Sequence, residues 1–176
     1  MKTRIATAWL AGCSGCHMSL LDMDERLLDL ADKIDLVYSP IMDAKEFPTN
    51  VDFTLVEGAV ANTDNEKTLR QIRERTRILV SLGDCAVTGN VPSMRNFFTK
   101  ESVLQRAYTE NVEVNKGIPS KDLPPILSQV HPLHSIVKVD LFVPGCPPSA
   151  DVIHFTLTEL LEGRMPALAS LTRFGK

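Results

Sequence analysis

Hydrophobic positions along this chain follow two periods. Five short segments, residues 4–11, 34–39, 51–57, 77–82 and 138–143, are near-continuous apolar runs with β-branched residues. Such runs fit strands of a parallel sheet covered on both faces. Between them the spacing widens to that of helices. Over 18–33, Leu20, Leu21, Leu27, Leu28 and Ala31 form an apolar stripe, with Asp22, Asp24, Glu25, Asp29 and Asp32 as the polar remainder. Thr63-Asp-Asn-Glu66 reads as a capping box, opening a helix that ends in a basic turn with Arg70, Arg73 and Arg75. A last helix over 149–162 takes Ser149 as its cap and turns Ile153, Leu157, Leu160 and Leu161 to the core. Gly163 lies just past its end.

Strands alternating with helices predict an α/β fold, a doubly wound parallel sheet with right-handed crossovers. Five strands suit the flavodoxin-like order 2-1-3-4-5. One stretch departs from the pattern. Residues 90–137, approximately, carry weak periodicity and Pro92, Pro119, Pro124, Pro125 and Pro132. This stretch is read as a long irregular excursion before the last strand, with a helix over about 99–108. Loops of that length are usually functional or bind a partner.

At 176 residues the chain is expected to be one domain, long enough to bury a core without staples. A net charge of -3, without a dense Lys/Arg cluster, gives no electrostatic case for nucleic acid or a membrane surface. No segment nears the roughly 20 apolar residues of a membrane span. Lys2 and Arg4 precede an apolar run, but it is short for a secretory leader and no A-x-A-like cleavage site follows. The expectation is a cytoplasmic protein. In that compartment cysteines serve as ligands or catalysts more often than as disulfides.

The chain has four cysteines. Cys13 and Cys16 follow the first strand, in Ala11-Gly-Cys-Ser-Gly-Cys-His17. Cys85 follows the fourth, in Leu82-Gly-Asp-Cys-Ala86. Cys146 follows the fifth, in Val143-Pro-Gly-Cys-Pro-Pro148. All four therefore fall at carboxyl ends of parallel strands, the edge where open α/β sheets bind ligands. Gly12, Gly15, Gly83 and Gly145 permit tight turns whose amides point inward, a device of anion and iron–sulfur sites. Prolines around Cys146 restrict that loop. Helices starting soon after Cys16 and Cys146 would turn their positive ends towards an anionic group.

Four chemistries use such cysteines. Cys-x-x-Cys-His attaches c-type haem, which would leave Cys85 and Cys146 idle and asks for export. A thioredoxin-like dithiol fits strand–CxxC–helix but ignores the same two residues. Structural zinc usually takes two close Cys-x-x-Cys pairs. One pair and two distant singles is nearer to a Cys₄-held iron–sulfur cluster. Other candidates carry less. His131 and His134 lie in the excursion and read as loop surface; His154 reads as a surface or partly buried helix residue. Glu57, ending the third strand, shares the cysteine edge either as a group that tunes the site or meets a partner, or as a solvated loop residue. No P-loop and no G-x-G-x-x-G follows the first strand, so nucleotide binding lacks support.

Three segments carry a resemblance. Cys13-Ser-Gly-Cys16-His-Met-Ser-Leu-Leu-Asp22, Leu82-Gly-Asp-Cys85-Ala-Val-Thr-Gly-Asn-Val-Pro-Ser-Met-Arg-Asn96 and Val143-Pro-Gly-Cys146-Pro-Pro148 together resemble the small subunit of nickel–iron hydrogenases. The likeness is strongest to the short small subunit of cytoplasmic, bidirectional NAD-linked enzymes. It implies a flavodoxin-like domain carrying the proximal 4Fe–4S cluster beside the Ni–Fe centre of a hydrogenase large subunit. Cys13, Cys16, Cys85 and Cys146 match the four cluster ligands of that family. It also implies iron–sulfur and flavin diaphorase subunits as partners, with the Ni–Fe centre, flavin and NAD all on partner subunits. No cysteine follows Cys146, so a single cluster is expected. The cluster-bearing subunit of respiratory NADH:quinone oxidoreductase shares the Gly-Cys-Pro-Pro ending, but resembles a tandem Cys-Cys family, whereas Ser14-Gly15 separates Cys13 from Cys16. Small subunits of methanogen-type cytoplasmic hydrogenases are similar in the same motifs.

Overall fold

A computed structural model of the chain describes residues 2–172; residues 1 and 173–176 of the expected domain lie outside the described residues. The strands are β1 (Thr3–Trp9), β2 (Ile34–Tyr38), β3 (Val51–Glu57), β4 (Val60–Asn62), β5 (Thr76–Leu82), β6 (Ile126–His131) and β7 (Leu141–Val143). β1, β2, β3, β5 and β7 form one parallel sheet in the order β2-β1-β3-β5-β7. Within that sheet the order is the expected 2-1-3-4-5. The helices are α1 (Gly15–Leu21), α2 (Arg26–Ala31), α3 (Thr63–Arg75), α4 (Asp84–Thr88), α5 (Lys100–Gln105) and α6 (Ala150–Leu161).

The central strand β3 explains why its run lacks polar alternation: it is covered on both faces. Phe53 and Leu55 pack with Val80, Leu82, Met23, Leu30, Ile153, Leu157 and Leu160 under α1, α2 and α6. Val56 packs on the opposite face with Ala6, Leu79, and Leu69 and Ile72 of α3. Burying each such Leu, Ile or Phe side chain stabilises the fold by about 1.5–3 kcal/mol. Ser149 caps α6 by accepting from the Val152 N–H, and Gly163 ends it with φ +75°.

Four local expectations change. The helix over 18–33 is two helices. Asp24 takes a left-handed φ of 50°, which a short polar side chain tolerates, and the turn drives Met23 into the core. Leu30 is buried beside it, whereas Leu28 is 74% exposed and Leu21 is also outside, so of the anticipated stripe only Leu20 and Leu27 pack against the core. The cap of α3 is Asn62, not Thr63. Asn62 accepts from Asn65 N–H at 2.8 Å, and Asn65 Oδ1 accepts from Ala61 N–H at 3.2 Å. Glu66 instead pairs with Arg70.

The last strand begins at Leu141 rather than at 138. Asp140 Oδ2 accepts the Leu79 N–H at 2.9 Å, taking a place the ladder would otherwise fill. Finally, the excursion is not irregular throughout. It holds a 3₁₀ segment Val91–Phe97, α5 with Thr99 as its cap, a wider turn Arg106–Glu110, and β6. β6 pairs antiparallel with β4 in a second, two-stranded sheet. Asn96 clips that strand by exchanging hydrogen bonds with Val130 N–H and C=O at 2.7 and 2.9 Å.

Candidate metal centre

Three loops bring the four cysteines to the carboxyl edge of the sheet. The first is pinned to β3's exit. Leu10 N–H donates to Glu57 O at 2.9 Å, and Ala11 and Ala59 exchange backbone hydrogen bonds at 3.0 and 2.7 Å. Gly58, with φ +83°, permits this approach: a Cβ there would stand 2.8 Å from the Leu10 carbonyl carbon. Cys13 follows, Ser14 turns the chain with φ 64°, and Cys16 lies in the first turn of α1.

The second loop meets the first directly. Gly83 leaves β5 with φ +82°, and a Cβ on it would lie 2.2 Å from Cys16 Sγ. Glycine therefore makes the room that the Cys16 thiol occupies. Cys85 follows two residues later in α4.

Asp84, between Gly83 and Cys85, clasps the third loop. Its N–H donates to Gly145 O at 2.8 Å, and its Oδ1 accepts from Gly145 N–H at 2.7 Å. Gly83 N–H donates to Val143 O at 2.8 Å. A buried backbone N–H deprived of such a partner costs about 1–3 kcal/mol, so the loops bearing Cys85 and Cys146 are held as one unit. Ser19 Oγ donates to Pro148 O, tying α1 to the same unit. Asn90 Nδ2 donates to Cys146 Sγ at 3.4 Å.

The thiols are free, with Cys13 and Cys146 exposed and Cys16 and Cys85 half-buried. They feel one another's charge. Burial, then the nearby Glu57 carboxylate and the Cys85 and Cys13 sulfurs, push the Cys16 thiol far above its ordinary range. Burial, then Cys146 and Cys13, push Cys85 up, while the nearby Val91 backbone N–H opposes them. Four thiolates crowded this way repel unless a cation neutralises them, which is the ordinary condition for metal ligation. Among the described residues no three His, Cys, Asp or Glu side chains close on a single-ion point. The donor set, four sulfurs spread round one edge, fits a sulfur-ligated cluster.

Glu57 is not a solvated loop residue. It is 2% exposed, and its Oε2 accepts from His17 N–H at 2.9 Å. His17 is likewise buried, its Nδ1 3.1 Å from the same oxygen and its ring edge-on to Trp9. Sequence reading placed Glu57 on this edge but assigned no role to His17, Asp84, Ser19 or Asn90. Their only signal was proximity to the cysteines along the chain. His131 lies in β6 and His134 in a surface turn edge-on to Phe142. Neither approaches the cysteine edge as part of a metal-binding group among the described residues. His154 is partly buried on α6.

A doubly wound sheet with four thiols gathered at its carboxyl edge suits an iron–sulfur protein, and the family match places the chain among subunits of electron-transfer oxidoreductases. Residues 13–160 match the model of one such family. The chain belongs to the NADH ubiquinone oxidoreductase, 20 Kd subunit, family. It is 43% identical over 168 residues to the NAD-reducing hydrogenase HoxS subunit delta of Cupriavidus necator, covering 93% of this chain and 80% of that protein. It is 39% identical over 170 residues to a vhu subunit of the F420-non-reducing hydrogenase of Methanocaldococcus jannaschii, covering 96% of this chain and 59% of that protein. The chain thus spans only about three-fifths of the length of that second relative. Among solved structures, a chain of an NAD+-reducing [NiFe]-hydrogenase in the H2-reduced state superposes with TM-score 0.94 at 43% identity, covering 99% of both chains. No helix among the described residues is long and apolar enough to cross a membrane.

Proposed function

We propose that this chain is the electron-transfer small subunit of a cytoplasmic, NAD-linked nickel–iron hydrogenase, and that Cys13, Cys16, Cys85 and Cys146 hold one 4Fe–4S cluster. The observation that carries this reading is the convergence of four cysteines from three loops on one sheet edge, joined by the Gly83–Cys16 contact and the Asp84–Gly145 clasp. When bound, such a cluster stores and passes one electron at a time. The chain's own part is mechanical and electrostatic. Four thiolates hold the group, the Asp84–Gly145 clasp fixes two of the loops, and Gly83 keeps the Cys16 sulfur in place. The exposed Cys13 and Cys146 mark the side open to partners. The similarity to an NAD-reducing enzyme's subunit supports a large subunit with a Ni–Fe centre on one side and iron–sulfur and flavin diaphorase subunits on the other. Hydrogen chemistry and NAD reduction belong to those partners.

The test uses the full chain, reconstituted anaerobically or purified within its complex. About four irons and four acid-labile sulfides per chain are expected, with one S = 1/2 iron–sulfur EPR signal after reduction. Cys85→Ser and Cys146→Ser remove most of that iron. Stoichiometric zinc or covalent haem sinks the reading. So does a Cys13/Cys16 redox couple that persists unchanged when Cys85 is replaced.

A further inference from the structure

Asn90 holds a backbone conformation that residues with a Cβ rarely adopt, φ 33° and ψ −129°. Such conformations cost roughly 1–3 kcal/mol and persist where surrounding contacts enforce them. Here the enforcement is visible: Ser93 N–H and Ser93 Oγ both donate to Asn90 O, at 3.1 and 2.7 Å. The result is a short clasp on two cysteines. The Asn90 side-chain amide donates to Cys146 Sγ at 3.4 Å. The next residue's backbone N–H, that of Val91, lies on the Cys85 side and favours negative charge on that sulfur. Pro92 follows and has no N–H to offer. A loop of ordinary geometry could be closed by glycine here without strain; instead a side chain with an N–H donor sits on a ligand sulfur.

We infer that Asn90 is a positioning residue that raises the reduction potential of the group held by the four cysteines, through its N–H···S hydrogen bond to Cys146. This rests on the ligand assignment proposed above. The physical argument is one of charge. Reduction adds one electron and no proton, so the sulfurs become more negative. A hydrogen bond to a more negative acceptor is stronger, so the donor favours the reduced state, and hydrogen bonds to ligand sulfurs are a recognised lever on cluster potential. Val91 favours negative charge on Cys85 through the backbone, which no side-chain substitution removes. Asn90 is the adjustable part.

The test is a redox titration of the full chain, reconstituted anaerobically and poised with dithionite and mediators, with the EPR signal as readout. Asn90→Gly relaxes the positive-φ strain, leaves the Val91 N–H in place and deletes only the side-chain donor. Asn90→Asp keeps the shape, loses the N–H and adds a negative charge. The expected potentials fall in the order Asn, Gly, Asp. The first step is about three- to tenfold in the one-electron equilibrium, about 28–59 mV at 59 mV per decade. A purely structural role predicts instead that Gly, the less strained variant, titrates like the native chain. In the native chain with 15N-labelled asparagine, pulsed EPR should show one weakly coupled 15N that Asn90→Gly abolishes.

Iron–sulfur signals with unchanged potentials in both variants overturn this inference and leave the ligand assignment standing. Absence of any iron–sulfur signal in the native chain overturns the ligand assignment and this inference together. If Asn90→Gly loads no iron, the 15N coupling in the native chain decides: present, it supports the bond, and absent, it refutes it.

Discussion

Gly83 offers the most direct test of the site's construction, because two separable physical costs fall on one substitution. In Gly83→Ala the new Cβ meets a backbone at φ +82° and the Cys16 sulfur at 2.2 Å. Backbone at φ +82° and ψ 160° is a region essentially confined to glycine, and it costs an L-residue roughly 1–3 kcal/mol whatever its surroundings. The overlap costs more only while the sulfur is there. Real Cβ contacts do not persist at that distance, so Cys16 must leave its rotamer or the backbone must shift, typically about 1–3 kcal/mol. Cys16→Ala removes the sulfur and leaves its Cβ 3.7 Å from the new methyl, an ordinary contact.

The assay is urea unfolding of the metal-free chain under reducing, anaerobic conditions for the native, the two single and the double variant. Gly83→Ala should cost roughly 2–6 kcal/mol in the native background and roughly 1–3 kcal/mol in Cys16→Ala. The coupling between the two positions should therefore be about 1–3 kcal/mol, well above what distant sites show. Iron retention should fall in step, since Cys16 is displaced from the edge it shares with Cys85. Additive costs, or a Gly83→Ala chain that loads iron like the native one, would show that the two loops do not touch as described.

Two further outcomes check other parts of the fold. Asn62→Ala should destabilise the chain by about 1 kcal/mol through loss of the α3 cap, whereas Thr63→Ala should change it by a few tenths, both by thermal or urea unfolding. Asp140 is held below the usual carboxylate range: burial pushes it up, but the Leu79 N–H and the Arg73 and Lys138 charges outweigh that. A carboxyl lowered in the folded state stabilises above its unfolded pKa, near 3.9, and loses that contribution as pH falls through the folded value. Asp140→Asn should therefore be less stable than the native chain at pH 7, with the difference closing below about pH 4.

The sheet was legible in the sequence because its strands are buried on both faces. Burial removes polar alternation, and runs such as residues 51–57 then announce themselves. Five strands alternating with helices suited the order 2-1-3-4-5, and the parallel direction of the strands puts all four cysteines at one edge. Motif likeness supplied the family, and the matches to known proteins agree with it.

What the tertiary structure decided were short-range choices between near-equal options. Whether Asn62 or Thr63 caps α3 is a matter of one residue and about 1 kcal/mol, and the reciprocal bond from Asn65 tipped it. The break at Asp24 follows from a core that accepts Met23 rather than Leu28, which no periodicity reveals. β6 was hidden because a short strand between prolines looks like loop until β4, far earlier in the chain, pairs with it. The same holds at the site. Asp84, Asn90 and Ser19 are ordinary polar letters in the chain, and join the candidate site only because three loops, joined through Gly83 and Gly145, set them against sulfur and backbone partners far away in sequence.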